Sequence, residues 1–398
     1  MDLGRMFSDQ PVAVLGGGVA GLAVATALAR RGAAVQLFEQ ASEITEVGAG
    51  LQISPNGVAV LDALGLGPDL AAAGTRAEAV QLRDGRSGAG VLRLDLLHAG
   101  HPRGYYFLHR ADLIGVLERA ARDAGVEMRL GRRCTDFDHH ADGVTLHFEG
   151  GRTVETPLAI GADGLHSRLR RALNPSAEPF FTGQVAWRAV IPAEAGAPPV
   201  AEVFMGPGRH LVSYPLRGGR QRNIVAVEER SAWADEGWNQ RDNPLVMRHA
   251  FAGFGGPVQD WLAQADEVWL WGLFRHPVAD RWHGAHCAIL GDAAHPTLPF
   301  LAQGANMALE DAWVLAAALA EAPDMDSALA AYQALRAPRT RRIVAAANRN
   351  ARAYHLSGLP RLLAHAALRL GGRLAPRAPL RRFNWLYTHD VTAAPTTR

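Results

Sequence analysis

The 398-residue chain contains no lysine: its 41 basic residues are all arginine, set against 39 Asp and Glu for a formal net charge of +2. That balance argues against the concentrated basic surface a nucleic-acid groove needs, and the Ala- and Arg-rich, Lys-free composition is read as coding bias. Cysteine is nearly absent as well. Cys134 and Cys287 both fall in strand-like runs, which excludes a disulfide framework, and no Cys/His spacing resembles a zinc site. Two thiols fit a reducing cytoplasm, the expected location. No run reaches the roughly 18–20 apolar residues of a spanning helix, so no stable membrane association is expected. Val12 to Leu28 mimics a signal peptide, but its glycines have a better explanation. Repeats, low-complexity tracts and charge runs are missing; Arg339, Arg341 and Arg342 form the densest basic spot and read as a solvated helix face. What is present, 48% hydrophobic and 20% charged residues, supplies a large core and, at this length, two domains or one large one.

The apolar run Pro11–Leu15 leads directly into Gly16-Gly-Gly18-Val-Ala-Gly21, then a helical stretch Leu22–Arg31, then a second buried-type strand, Ala34–Phe38, ending at Glu39. This is a βαβ unit. A dinucleotide pyrophosphate needs a tight turn, a close backbone approach and a helix N-terminus, which Gly16, Gly18 and Gly21 supply in order. Glu39, 18 residues after Gly21, stands where a carboxylate accepts from a ribose hydroxyl. The unit does not distinguish NAD from FAD. Further on, Arg110–Ala124 shows a helical apolar face, and residues 126–159 form hairpins. Residues 180–230 alternate as an antiparallel sheet, a helical stretch lies near 243–263, and 267–274 reads as one more strand. The buried-type strand Cys287–Leu290 returns before a helix at Gln303–Leu319 and a mostly helical remainder. The predicted class is α/β: a Rossmann-like domain with a parallel sheet (1–75, 107–179 and 283–335), a mostly antiparallel substrate-binding sheet domain (76–106 and 180–282), and C-terminal helices (336–398).

Two later motifs extend the nucleotide site. Asp163-Gly164-Leu-His-Ser167-Arg168-Leu-Arg170 and Gly291-Asp292-Ala-Ala-His-Pro296 each follow a buried strand, and Leu301-Ala-Gln-Gly-Ala-Asn306 opens a helix. Free N–H groups at Gly304, Ala305 and Asn306 can stabilise negative charge; alone, either aspartate would read as a turn or cap residue. Together and in this order, the three motifs resemble the flavin-dependent aromatic hydroxylases, single-component FAD monooxygenases of the p-hydroxybenzoate and salicylate hydroxylase type. The resemblance runs from about residue 10 to 350 and takes in Gly48-Ala-Gly-Leu-Gln52, Pro55-Asn56 and His109-Arg110-Ala-Asp-Leu113. Gly48-Ala49-Gly50, Ala186-Trp-Arg-Ala189 and Pro207-Gly-Arg-His210 are similar to the branch holding salicylate, 3-hydroxybenzoate and 6-hydroxynicotinate hydroxylases.

The resemblance implies FAD as cofactor and NADH or NADPH as a transient co-substrate. Gly16, Gly18 and Gly21 would bind the pyrophosphate, Glu39 the adenosine ribose and Ala49 the cofactor through its backbone. Arg110 would approach the FAD phosphates and ribitol, Asp163 both FAD and the nicotinamide cofactor, and Asp292 the ribitol. A cation at the N-terminal end of a helix opposes the dipole, which favours function at Arg110 over a structural role. The implied reaction passes one oxygen of O₂, through a C4a-hydroperoxyflavin, to a small phenolic or hydroxypyridine acid.

Such chemistry wants a base near the substrate hydroxyl. His210 and Tyr214, four apart on a strand, share one face, with Leu211 and Ser213 on the other; 6-hydroxynicotinate-type hydroxylases resemble this His-x-x-x-Tyr arrangement. The plain alternative is a half-buried imidazole and an ordinary sheet tyrosine. Arg188 could pair with a substrate carboxylate unless alternation turns it outward. His295 reads as shaping the flavin loop, and Trp269, Trp271 and Phe274 as packing the sheet. Pro299 departs from the polar residue of 3-hydroxybenzoate 6-hydroxylases. Residues 355–370 read as a helix over the domain seam, ahead of a dimer or membrane-surface element. Competing functions are an oxidase, epoxidase or reductase acting on a larger polyketide or isoprenoid, and a flavin-bearing redox partner of another protein. The substrate, the choice of NADH or NADPH, and monomer against homodimer stay open; no metal is expected.

Overall fold

The computed structural model describes residues 3–7, 10–44, 49–98, 102–176, 178–193, 196–230 and 240–393. Its main elements in chain order are β1 (Val12–Leu15), α1 (Val19–Ala29), β2 (Val35–Phe38), β3 (Gly50–Ile53), α2 (Pro55–Ala63), β4 (Ala79–Asp84) and β5 (Gly90–Asp95). Then come β6 (Tyr106–His109), α3 (Arg110–Asp123), β7 (Glu127–Arg129), β8 (Ala159–Gly161), β9 (Phe180–Pro192), β10 (Val200–Gly206), β11 (Arg209–Leu216) and β12 (Gln221–Glu229). The chain closes with β13 (Val268–Arg275), β14 (Cys287–Ile289), α4 (Gly304–Glu321), α5 (Met325–Tyr354) and α6 (Gly358–Leu374).

Six strands form the first sheet in the order His283–Gly284, β14, β8, β1, β2, β7, parallel except at the short His283–Gly284 edge. Every residue of β1 is buried, the pattern of a strand covered on both faces. Helix α1 is apolar around its circumference because it has no solvent side: it packs between the sheet, α3 and α4. Its N-terminal approach depends on glycine. Gly16 sits at φ +105°, and a Cβ on Gly21 would stand 1.9 Å from Gly16 O. Only glycine lets the helix come this close.

The second sheet has eight strands, Gln240–Asp242, β13, β9, β12, β11, β10, β4, β5, antiparallel except where β10 runs alongside β4. One face packs on the helices of residues 244–263 through Trp187, Phe204, Phe251 and Trp261. The other faces a large cavity. The chain is thus an α/β fold with a mainly parallel six-stranded sheet, a mainly antiparallel eight-stranded sheet, two small three-stranded antiparallel sheets and C-terminal helices.

The basic spot near residue 340 differs from its sequence reading at Arg339. Arg339 is largely buried and pairs with the fully buried Glu310 at 2.7 Å, because that carboxylate has no water to serve it. Arg341 and Arg342 keep to the solvated face as expected, with the Arg342 guanidinium also stacked on Trp385 at 3.9 Å.

Candidate active site

One cavity of about 1480 Å³ runs from the glycine turn after β1 to the inner face of the second sheet. Pockets for single drug-sized ligands measure roughly 300–1,000 Å³, so this larger space suits a dinucleotide with a small second molecule beside it. Gly16, Gly18, Glu39, Ala49, Arg110, Asp163, Asp292, Gly304 and Ala305 line it, drawn from segments almost 290 residues apart in the chain.

At the turn, a Cβ on Gly18 would meet nothing within 4 Å, and no side chain caps α1. The first N–H groups of that helix therefore open on the cavity, an anion site by geometry and dipole. Glu39 accepts from Gly17 N at 2.6 Å and Ala41 N at 2.8 Å, fixing its carboxylate at the end of β2. Asp163 Oδ1 is buried and takes no hydrogen bond among the described residues; its Oδ2 accepts from Arg168 N at 3.4 Å. Burial pushes the Asp163 carboxyl above the usual range. Asp292 reaches openly into the cavity from the turn after β14. Ala302 is held at φ +51°, left-handed for a non-glycine, in the turn that aims the start of α4 at the same space. A capless helix start, an orphaned buried carboxylate oxygen and a bare aspartate are the donor and acceptor set that a flavin dinucleotide requires. The residues fit the group.

Two expected cofactor residues are absent from the cavity wall. Gly21 lies behind Gly16 and serves the close packing of α1. Asn306 turns inward: its Oδ1 accepts from Ser54 N at 2.9 Å, and its Nδ2 donates to Gln52 O at 3.0 Å. That side chain braces α4 against β3 and α2 and leaves Gly304 and Ala305 to face the cavity. Gly48 lies outside the described residues.

On the sheet side, β11 turns His210, Val212 and Tyr214 into the cavity, with Leu211 in the core behind. Burial, then the neighbouring His355, pushes His210 well below its ordinary range, so the ring is neutral at pH 7. Burial raises Tyr214, against which Arg188 and Gln52 pull down. The tyrosine ring lies where a Cβ on Gly50 would be, 2.6 Å from its Cε2, while Gly50 N donates to Asn223 Oδ1 at 2.7 Å. Glycine at this position thus joins the Ala49–Gly50 segment to the sheet directly beside Tyr214.

Alternation turns Arg188 inward and Trp187 into the opposite core; the Arg188 guanidinium stacks on Trp271 at 3.9 Å. Trp271 and Phe274 therefore line the cavity as well as packing the sheet, and only Trp269 stays outside it, under Arg241. His295 points away from the cavity, bound to Asp311 and packed on Trp282. It belongs to a buried network with Glu310, Asp311, Arg336 and Arg339, whose one sequence signal was a Glu-Asp pair inside an otherwise apolar helix. Helix α6 lends Ala364, His365 and Leu368 to the cavity wall. Arg361 and His365 anchor the helix to Asp84 of β4 at 2.8 and 3.1 Å, and a row of exposed leucines faces outward.

Residues 9–347 match the FAD binding domain family, and the chain belongs to that family. FAD is its cofactor. A 3-amino-4-hydroxybenzoate 2-monooxygenase of Streptomyces cremeus is 39% identical over 360 residues, covering 88% of this chain and 89% of the relative. A 3-hydroxybenzoate 6-hydroxylase of Klebsiella oxytoca is 36% identical over 362 residues, 87% of this chain and 89% of that one. Among solved structures, Klebsiella pneumoniae HpxO complexed with FAD and uric acid superimposes with a TM-score of 0.82 at 28% identity, covering 93% of this chain and 96% of the other. Among the described residues no helix is long and apolar enough to cross a membrane, and no His/Cys/Asp/Glu cluster has metal-binding geometry.

Proposed function

We propose that this protein is an FAD-dependent monooxygenase that hydroxylates a small aromatic acid bearing a phenolic or hydroxypyridine hydroxyl, with NAD(P)H as reductant and O₂ as oxidant. The observation that carries the reading is the continuity of one cavity from the glycine turn to an imidazole, a tyrosine and an arginine on a single sheet face. FAD, when bound, supplies the reduction by NAD(P)H and the activation of O₂. The protein's residues do the rest. Gly16, Gly18, Glu39, Arg110 and Asp292 hold the dinucleotide, Asp163 serves FAD and the nicotinamide together, and Gly304 and Ala305 direct N–H groups at its negative charge. His210 takes the proton from the ring hydroxyl, which makes the ring more nucleophilic; Tyr214 orients that hydroxyl; Arg188 pairs with the carboxylate. Trp271, Phe274 and helix α6 keep bulk water out.

The test is a purified yellow protein with a flavin absorption spectrum, followed by a panel of hydroxybenzoates and hydroxypyridine acids scored for coupled NAD(P)H oxidation and O₂ uptake. Hydroxylated product from at least one ring acid is expected. A protein that stays colourless with added FAD, or a flavoprotein whose turnover is stimulated only by large polycyclic substrates, overturns the reading.

A further inference from the structure

His210 is the inner end of a chain of three side chains. Its Nδ1 lies 2.7 Å from His355 Nε2, and His355 Nδ1 lies 2.7 Å from Glu229 Oε1. Both rings are buried, whereas the Glu229 side chain is 52% exposed, so the chain leads from the cavity to the surface. The three residues come from β11, the end of α5 and the end of β12. The turn between β10 and β11 holds them in place: Gly208 N donates to His355 O at 3.3 Å, and Glu229 N donates to Gly208 O at 2.8 Å.

Hydrogen-bond chemistry fixes the tautomers. A carboxylate has no proton to give, so the hydrogen between Glu229 and His355 resides on His355 Nδ1. A neutral His355 then offers only a lone pair at Nε2, and His210 Nδ1 must donate to it. A neutral His210 protonated at Nδ1 has a bare Nε2. No hydrogen bond reaches that nitrogen among the described residues, and the ring lines the cavity.

We propose that Glu229 and His355 are positioning residues that hold His210 with an unprotonated Nε2 toward the substrate hydroxyl and relay the proton it receives to solvent. The proposal rests on the reading of His210 as the base. As the substrate O–H bond breaks, the His210 Nε2–H bond forms; the Nδ1 proton of His210 passes to His355 Nε2, the Nδ1 proton of His355 to Glu229, and from there to water. The hydroxylated ring regains its phenol proton by the reverse path, which returns both rings to their starting tautomers, so atoms and charge balance over a turnover. Other groups bear on the relay. Burial disfavours a cation on either ring, and Arg209 opposes one on His355 while Glu229 favours it. Phe300 and Tyr354 pack at 5.5 and 5.2 Å from the His210 ring. The proton therefore has no resting place inside.

Two measurements on the FAD-loaded enzyme test this. In ¹⁵N-histidine NMR, wild-type His210 is expected as the Nδ1–H tautomer, with His355→Phe converting it toward Nε2–H. With 3-amino-4-hydroxybenzoate as probe, His355→Phe should lower kcat about tenfold or more at pH 7, less than the roughly 10²–10⁴ expected for loss of the base itself. KM should change little, and the deficit should shrink as rising pH ionises the ring hydroxyl unaided. Glu229→Gln should give a smaller loss with the same pH trend. A purely structural link would yield a pH-independent deficit or a raised KM. Wild-type His210 in the Nε2–H tautomer, or a deficit flat with pH, overturns the relay. Failure of the wild type to hydroxylate any ring acid sinks the functional reading alone, since the tautomer measurement stands without substrate.

Discussion

Glu310→Gln isolates the electrostatic content of the buried network with almost no change of shape. Arg336 Nη1 lies 2.6 Å from Glu310 Oε2 and Arg336 Nε 2.8 Å from Asp311 Oδ1, while Arg339 Nη2 lies 2.7 Å from Glu310 Oε1. Burial alone would push Glu310 up; Arg336 and Arg339 outweigh it and hold the carboxyl at about 2, against an ordinary 4.5. At 1.36 kcal/mol per unit, that difference corresponds to about 3 kcal/mol of folding stability, at the lower end of the roughly 3–5 kcal/mol seen when one partner of a buried pair is removed. The folded-state value lies below the unfolded one, so the contribution is complete above about pH 4.5 and is lost as pH falls toward about 2. The glutamine variant should therefore melt about 3–4 °C below wild type at pH 7, with the gap closing on acidification toward pH 3. Flavin fluorescence released on heating gives the readout. Melting within a degree of wild type at pH 7, or a gap that does not narrow in acid, refutes the reasoning.

Gly50→Ala would place a methyl 2.6 Å from Tyr214 Cε2 and 2.8 Å from Asn223 Cγ. It should raise KM for the ring acid several-fold while flavin content, read from the visible-to-ultraviolet absorbance ratio, stays near stoichiometric; loss of flavin with unchanged KM would place the glycine's role elsewhere. Asp292→Ala removes the carboxylate that stands open in the cavity, and the variant should purify largely without FAD; a fully loaded yellow preparation would remove Asp292 from the cofactor's partners.

Much of the nucleotide half was legible in the sequence because its signals are local. The glycine turn, the second strand and its terminal Glu39 sit within one βαβ unit, and Asp163 and Asp292 each follow a buried strand, so chain direction alone sends them to one edge of the sheet. The shared face of His210 and Tyr214 followed from the two-residue period of a strand. The period could not say whether Trp187 or Arg188 looks inward, since both faces of β9 are covered, one by helices and one by the cavity. The inward turn of Asn306, the burial of Arg339 and the partners of His210 escaped for a different reason. Ser54 lies 252 residues from Asn306, and His355 lies 145 from His210. No pattern of local spacing reports on partners so distant.

Strand β1 is made early, yet one of its two neighbours in the sheet is Ala159–Gly161, and the loop ending at Gly304 arrives only late in synthesis. A chain released short of that loop has a vestibule without a back wall. It gains none of the stabilisation that a ligand confers on the state able to bind it. Pairings across such separations also form slowly compared with hairpins. Flavin retention by a preparation therefore depends on chains that extend past Gly304 and bring that loop to the cavity.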